Sequence, residues 1–337
     1  MTIFPDKASF LAALHNMPAP DGTALAQARE RQAQLTKPAG SLGRLEDIAL
    51  FMAGWQGQAI PTLDAVQAVV FAGNHGVAAQ GVSAFPSEVT AQMVENFRHG
   101  GAAINALSRA CGASLSVVPL DLEQPTGDIT VQPAMSEAEC LAALQAGAAS
   151  VLSADLLLVG EMGIGNTTPA AALCAQAFGG AGQDWVGRGT GIDDAGVARK
   201  MAAVDAALVR HGADCVDPFE TLRRLGGREI AAMAGAILAA RWRRIPVLLD
   251  GFICCAAIAP LVVAAPALTD HCLSAHCSAE TAHGRLLAAM GLEPLLRLDL
   301  RLGEGSGAAL AVQIVRAALA THAEMATFAE AQVADPL

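Results

Sequence analysis

The stretch Leu156-Leu-Leu-Val-Gly-Glu161-Met-Gly163-Ile-Gly165-Asn166-Thr167-Thr168-Pro169 decides the fold. Leu156 to Val159 is an apolar run with the length of a buried strand. Gly163 and Gly165 permit a close backbone approach or a positive φ. Thr168 is placed to cap a helix, with Pro169 at its first position and Ala170 to Leu173 continuing it. Strand, glycine-rich turn and helix in that order predict an α/β unit. The free amides at such a helix start form an anion site, most often for phosphate. Glu161 stands beside it at the carboxyl end of the strand, where open α/β sheets bind their ligands. A phosphate pocket with an adjacent acid points to chemistry on a phosphorylated metabolite.

The same alternation extends outward along the chain. Further strands are expected at 65–72, 115–120, 155–160, 245–250, 271–275 and 295–301, separated by alanine-rich helical stretches such as 136–152, 194–213 and 227–243. Strands alternating with helices of this length predict a Rossmann-like, mostly parallel sheet with helices on both faces. The first sixty residues show helical patterns only (4–14, 22–35 and 45–57), and the tail from Ala308 to Ala331 is also helical. Segments 1–60 and 308–337 are therefore expected to form a small helical domain beside an α/β catalytic domain spanning 61–307.

Composition narrows the function. The chain has 337 residues, 53% of them apolar, and a formal net charge of −11, which argues against nucleic acid as a partner. Eight cysteines show no zinc-like pairing, and they read as small buried hydrophobes of a reducing compartment. The opening residues do not read as a signal peptide, so a cytoplasmic location is expected. Gly251 to Thr269 carries no charge over nineteen residues, close to membrane-spanning length. Pro260, Pro266 and the preceding strand-like Ile245 to Leu249 favour a buried crossover helix over a membrane span.

Glycine-rich segments recur at the expected strand ends: Gly73-Asn-His-Gly76, Gly160 to Thr168, Gly187 to Asp194, and Gly303-Glu-Gly-Ser-Gly307. No dinucleotide fingerprint is present, because Gly163-Ile-Gly165 is followed by Asn-Thr-Thr rather than a third glycine. A phosphate loop of the Walker type is excluded, since none of the three lysines follows a glycine. Glu304, held between two glycines, is a second candidate acid, and burial would raise its pKa toward that of a useful base. Glu161 and Glu304 both belong to strand-to-helix turns and can share one cleft. His271, Cys272, His276, Cys277 and His283 crowd together, but their spacing fits no standard zinc site, and packing or hydrogen bonding is the expected role of His276, Glu280 and His283.

Seven ordered motifs carry a resemblance over about 270 residues of the chain. They are Thr36-Lys-Pro-Ala-Gly-Ser-Leu-Gly-Arg-Leu-Glu46, Ala72-Gly-Asn-His-Gly-Val77, Gly81-Val-Ser-Ala-Phe-Pro86, the segment 160–169, Gly187-Arg-Gly-Thr-Gly191, Ser274-Ala-His-Cys-Ser-Ala-Glu280 and Leu302-Gly-Glu-Gly-Ser-Gly-Ala308. In that order they resemble the nicotinate-nucleotide–dimethylbenzimidazole phosphoribosyltransferases. The resemblance implies transfer of the 5-phosphoribosyl group of nicotinate mononucleotide to 5,6-dimethylbenzimidazole. The products would be α-ribazole 5′-phosphate, with inversion, and nicotinate, for the nucleotide loop of cobalamin. It further implies a homodimer and neither cofactor nor metal.

By the same resemblance Glu304 is the general base and Glu161 stabilises charge at the ribose. Gly163, Ile164, Gly165, Asn166, Gly189, Thr190, Gly191 and Lys200 would hold the nucleotide phosphate. Ser83, Phe85, Gln92 and Leu302 would line the aromatic-base pocket. Lys37 and Arg44 read as an exposed structural pair. A nicotinamide-dependent oxidoreductase lacks support without the third glycine, and a non-catalytic sensor would not need Glu304. A relative using adenine or a phenolic acceptor stays open, because acceptor choice depends on pocket shape.

Overall fold

A computed structural model describes residues 3–189 and 191–334. Six parallel strands form one sheet: β1 (Val66–Ala72), β2 (Ala113–Pro119), β3 (Leu156–Met162), β4 (Val247–Leu249), β5 (Cys272–His276) and β6 (Pro294–Leu296), in the spatial order β2-β1-β3-β4-β5-β6. The expected α/β class and all six strands are present. The chain runs outward from β1 to β2 and then crosses back to β3. The carboxyl ends of β1 and β3 thus form the switch point at which doubly wound sheets open a crevice.

Both central strands are buried along nearly their whole length, as expected of a parallel sheet covered on two faces. Alternate residues feed two cores, because successive side chains point to opposite faces. Val69, Phe71, Leu157, Val159 and Leu249 join the helices Glu137–Ser150, Thr167–Phe178, Arg228–Trp242 and Phe252–Ala264. Val66, Ala68, Val70, Leu156, Leu158 and Leu248 join the helices Arg44–Gln56, Ala103–Cys111 and Ser306–Glu324. The uncharged stretch after β4 is the buried crossover helix Phe252–Ala264, with Pro260 inside it. Among the described residues no helix is long and apolar enough to cross a membrane.

Helix Lys7–His15 seats Phe10 in the first core, 6.1 Å from Phe219 ring to ring. Helices Gly22–Gln34 and Ser306–Glu324 are joined by Arg31, which donates to the carbonyls of His322 and Ala323, and by Gln32, which donates to His322 Nδ1.

Three local expectations are corrected. The run 295–301 is not one strand, because β6 ends at Leu296 and Asp299 turns to φ +52°. Thr168 is not the helix cap. The helix begins at Thr167 and its cap position is Asn166, whose side chain is committed to Glu161 instead. Only two of the four glycine-rich segments directly follow a strand. Gly187 to Asp194 follows the short helix Gly182–Trp185, and Gly303 to Gly307 is separated from β6 by residues 297–302.

Candidate active site

A cavity of about 370 Å³ opens over the carboxyl ends of β3, β4 and β5. One wall is apolar, built from Phe85, Val89, Met93, Met162 and Leu302. The floor carries three carboxyl groups, Glu161, Asp250 and Glu304, each buried to 8% exposure or less. Glu161 and Glu304 are therefore brought to one cleft.

Glu161 follows from the register of the sheet. It pairs with Phe71 at the penultimate position of β3, and the strand's alternation turns it away from the Leu156 side. Its Oε2 accepts from Asn166 Nδ2. Burial pushes its carboxyl up to about 8, and the nearby Glu229, Asp250 and Glu304 add to the shift against the opposing Asn166 bond. At neutral pH Glu161 is thus mostly protonated.

Glu304 sits in a turn that only a few contacts allow. Its backbone is left-handed (φ +63°), flanked by Gly303 and Gly305 at +83° and +82°. Its amide donates to the Glu161 carbonyl at 3.2 Å. A Cβ on Gly160 would lie 2.5 Å from the Glu304 carbonyl carbon and 2.6 Å from its oxygen, so β3 must carry glycine there. Glu304 Oε2 is buried without a hydrogen-bond partner among the described residues. Burial raises this carboxyl above its ordinary range, the Ile104 amide pulls it back, and Asp250 pushes it up again.

Asp250 is a buried cavity residue that sequence reasoning does not single out. It immediately follows the β4 run, as Asp250-Gly251, in the same strand-end setting as Glu161, and that setting is the available signal. Arg301 also lines the cavity and reaches the Gly189 carbonyl at 3.4 Å, while Ser278 and Asn166 complete its polar face.

The expected phosphate residues divide. Gly163, Ile164, Asn166 and Gly189 line the cavity, together with Thr167 at the start of its helix. Lys200 lies behind them, 2% exposed, with Nζ donating to Thr167 Oγ1 at 2.7 Å and to the Gly187 carbonyl at 3.4 Å. Burial lowers its pKa to about 8 against the pull of Glu280. The Ile164 amide already donates to Thr90 Oγ1. Gly165 (φ +88°) packs against Ala78 and, like Gly191, does not line the cavity. Thr190 lies outside the described residues.

Of the expected aromatic-base residues, Phe85 and Leu302 are half exposed at the mouth, whereas Ser83 and the exposed Gln92 do not line the cavity. Lys37 pairs with Glu46 at 2.8 Å, and Arg44 donates to the carbonyls of Pro294 and Glu293. Only the Lys37 tie is local in sequence, and its side chain is buried rather than exposed; Arg44 reaches across to β6, and the two do not pair with each other.

His276 and Glu280 line the far wall. His283 stands behind His276, ring to ring at 6.1 Å, and its Nδ1 accepts the Ser278 amide at 2.8 Å. Burial lowers both histidines, His283 to about 3, so both are neutral. His271 is held between the carbonyls of Leu268 and Ile237. Among the described residues no group of three or more His, Cys, Asp and Glu side chains is arranged to hold a metal. Behind Glu161, His75 and Glu229 form a fully buried pair at 2.6 Å. Gly73 and Gly163 leave room for that carboxylate, since a Cβ on Gly73 would meet Glu229 Oε2 at 2.5 Å.

The chain has close relatives in sequence and in structure. Residues 17–333 match the family described as phosphoribosyltransferase (DBI_PRT). The nicotinate-nucleotide–dimethylbenzimidazole phosphoribosyltransferase of Novosphingobium aromaticivorans is 63% identical over 339 residues, with both chains fully covered. The enzyme of the same name from Ruegeria pomeroyi is 60% identical over 98% of each chain. The crystal structure of CobT from Thermus thermophilus superposes with a TM-score of 0.87 at 43% identity, covering 93% of this chain and all of that one. Shared fold, near-complete coverage and high identity lead to one conclusion: the chain is an enzyme of the nicotinate-nucleotide–dimethylbenzimidazole phosphoribosyltransferase family.

Proposed function

We propose that this cavity moves the 5-phosphoribosyl group of nicotinate mononucleotide to 5,6-dimethylbenzimidazole, inverting C1′ and giving α-ribazole 5′-phosphate and nicotinate. The observation that carries the reading is Glu304 Oε2, a buried and unpartnered carboxyl oxygen at the edge of an apolar wall. The family's reaction needs a base beside a flat aromatic acceptor, and this oxygen has no hydrogen-bond partner among the described residues.

In the proposed reaction one benzimidazole nitrogen attacks C1′ from the face opposite nicotinate. The other nitrogen gives its proton to Glu304. The glycosidic electron pair leaves with nicotinate and discharges its pyridinium ring. A carboxyl held above its ordinary pKa is suited to accept that proton near neutrality. Glu161, mostly protonated at neutral pH, faces a cationic donor once nicotinate mononucleotide binds. The pyridinium charge favours the ionised form, so binding expels the Glu161 proton and leaves an anion beside the developing charge on the ribose. Beyond these two groups the enzyme has to align two rings about C1′ and exclude water.

The phosphate is assigned to the start of helix Thr167–Phe178, between Thr167, Gly189 and Arg301, with Lys200 bonded to Thr167 from behind. This moves the expected site from the middle of the Gly163–Gly165 turn toward the helix, since the Ile164 amide is already bonded to Thr90. Phe85, Met93 and Leu302 offer a slot for the acceptor ring, with Phe85 stacking on it. A homodimer in the cytoplasm, with segments 1–60 and 308–337 as a helical unit beside the catalytic domain, completes the proposal.

The test is incubation with nicotinate mononucleotide and 5,6-dimethylbenzimidazole, followed by chromatography for α-ribazole 5′-phosphate and nicotinate. Glu304→Gln is expected to bind the nucleotide while losing roughly 10²–10⁴-fold in kcat. Turnover like that of the unmodified enzyme would remove Glu304 from the base role.

A further inference from the structure

We propose that Asp250 is the positioning residue of the Glu304 turn, serving as a borrowed cap for the helix behind the base and so keeping that helix's amides away from it. The inference rests on Glu304 being the base.

Helix Ser306–Glu324 starts without a side-chain cap of its own, because its cap position is Gly305, in the left-handed region. A helix start needs acceptors for its free amides. Asp250 supplies them from the neighbouring strand end: Oδ2 accepts from the Gly305 amide at 3.2 Å and Oδ1 from the Ala308 amide at 2.9 Å. Both oxygens are used, and the residue is 2% exposed. No other carboxylate bonds this helix start among the described residues.

Two consequences follow for Glu304. Its position is clamped from both sides, with its own amide tied to the Glu161 carbonyl and the next amide tied to Asp250. Its protonation is also protected. The amino end of a nineteen-residue helix favours anions and would make an adjacent carboxyl more acidic. With those amides committed to Asp250, Glu304 receives no bond from them. Burial pushes the Asp250 carboxyl itself up to about 7, against the pull of the Ala308, Gly305 and Gly307 amides, so the charge it sets against Glu304 grows in as pH approaches and passes neutrality. One residue thus holds the base in place and takes up the amides of the helix behind it, leaving the Ile104 amide, in the first turn of helix Ala103–Cys111, as the backbone group that draws the Glu304 carboxyl down. The titratable and charged groups around the base are Glu161 on β3, Asp250 after β4, His276 at the end of β5 and Arg301 on the base's own loop. His276 Nε2 lies 3.7 Å from Asp250 Oδ1.

The experiment is the pH dependence of kcat/KM for the unmodified enzyme, Glu304→Gln and Asp250→Asn, with nicotinate mononucleotide affinity measured by calorimetry. Asp250→Asn is expected to lower kcat at least tenfold and to move the acid limb toward lower pH, because the charge that Asp250 gains beside Glu304 toward neutrality is gone. Nucleotide affinity should change less than kcat. A purely structural cap would lower activity without moving that limb. If Glu304→Gln abolishes turnover while Asp250→Asn keeps both kcat and the limb, the Asp250 proposal is overturned. If Glu304→Gln keeps turnover, the underlying base assignment fails instead. Amide hydrogen exchange on the unmodified protein tests the cap without any substitution: slow exchange at Gly305 and Ala308 is expected, and unprotected amides there would overturn it.

Discussion

Replacing Gly160 by alanine isolates the placement of the base from its chemistry. Gly160 lies on β3 opposite Val70, within the buried part of the strand, and has no functional group. The added Cβ would sit 2.5 Å from the Glu304 carbonyl carbon, where ordinary contact begins at 3.4 Å. The atoms in the way are backbone, so no side chain can swing aside. Either β3 or the Glu304 turn must move by roughly 1 Å, and β3 is paired with β1 through Gly160 and with β4 as far as Val159. The turn, held by the two hydrogen bonds of its amides to the Glu161 carbonyl and Asp250, is held less extensively than the strand and is the part expected to yield. A misplacement of about 1 Å at a reacting group costs on the order of 10²-fold in rate. Overpacking of a tight site costs about 1–3 kcal/mol in stability, which a folded enzyme of this size can tolerate. Steady-state kinetics should therefore show kcat reduced about a hundredfold, with a KM for nicotinate mononucleotide changed far less. Gly22→Ala, where nothing lies within 4 Å, is the matched control and should be silent. A Gly160→Ala enzyme that folds and turns over at the rate of the unmodified one would refute the argument that β3 sets the position of Glu304.

Two further outcomes are expected. Phe85→Ala should raise KM for the acceptor base by about tenfold while leaving that for the nucleotide nearly unchanged, since only the acceptor would lie against this half-exposed ring; equal effects on both would return Phe85 to a packing role. The ligand-free protein should lose thermal stability as pH rises from about 5 to about 8. Glu161 has an ordinary value of 4.5 and a folded value of about 8, so the folded state binds the extra proton across this window and forfeits that advantage as it ionises. Glu161→Gln should flatten part of that slope in a melting series, and an unchanged slope would remove Glu161 as its source.

Much of the scaffold is legible because parallel sheets buried on both faces write themselves as apolar runs. Leu156 to Val159 and Val69 to Ala72 can hardly be anything else, and the turn chemistry around Gly163 marks which end of the strand is open. Glu304 is legible because an acid between two glycines is locally odd. Asp250 is not, since an aspartate before a glycine is common at any strand end, and its role arises from the amides of Gly305 and Ala308, some fifty-five residues later. Thr168 illustrates the opposite failure. It has the chemistry of a cap, but Asn166 takes the cap position and gives its side chain to Glu161, so the site overrides the local preference. The placement of Gly165 against Ala78 and the use of the Ile164 amide by Thr90 likewise depend on elements remote in sequence.

The left-handed backbone at Glu304 sets the demands of durability against those of catalysis at a single position. A non-glycine residue there carries a conformational penalty of about 1–2 kcal/mol, and its buried acid adds a desolvation cost. Glycine would remove both. A population of variants selected for heat resistance alone would therefore drift toward glycine at 304 and lose its base, whereas selection for turnover holds the glutamate in place. Engineering for robustness in this enzyme has to look elsewhere, to the helices that pack far from the cavity, and to leave this turn strained.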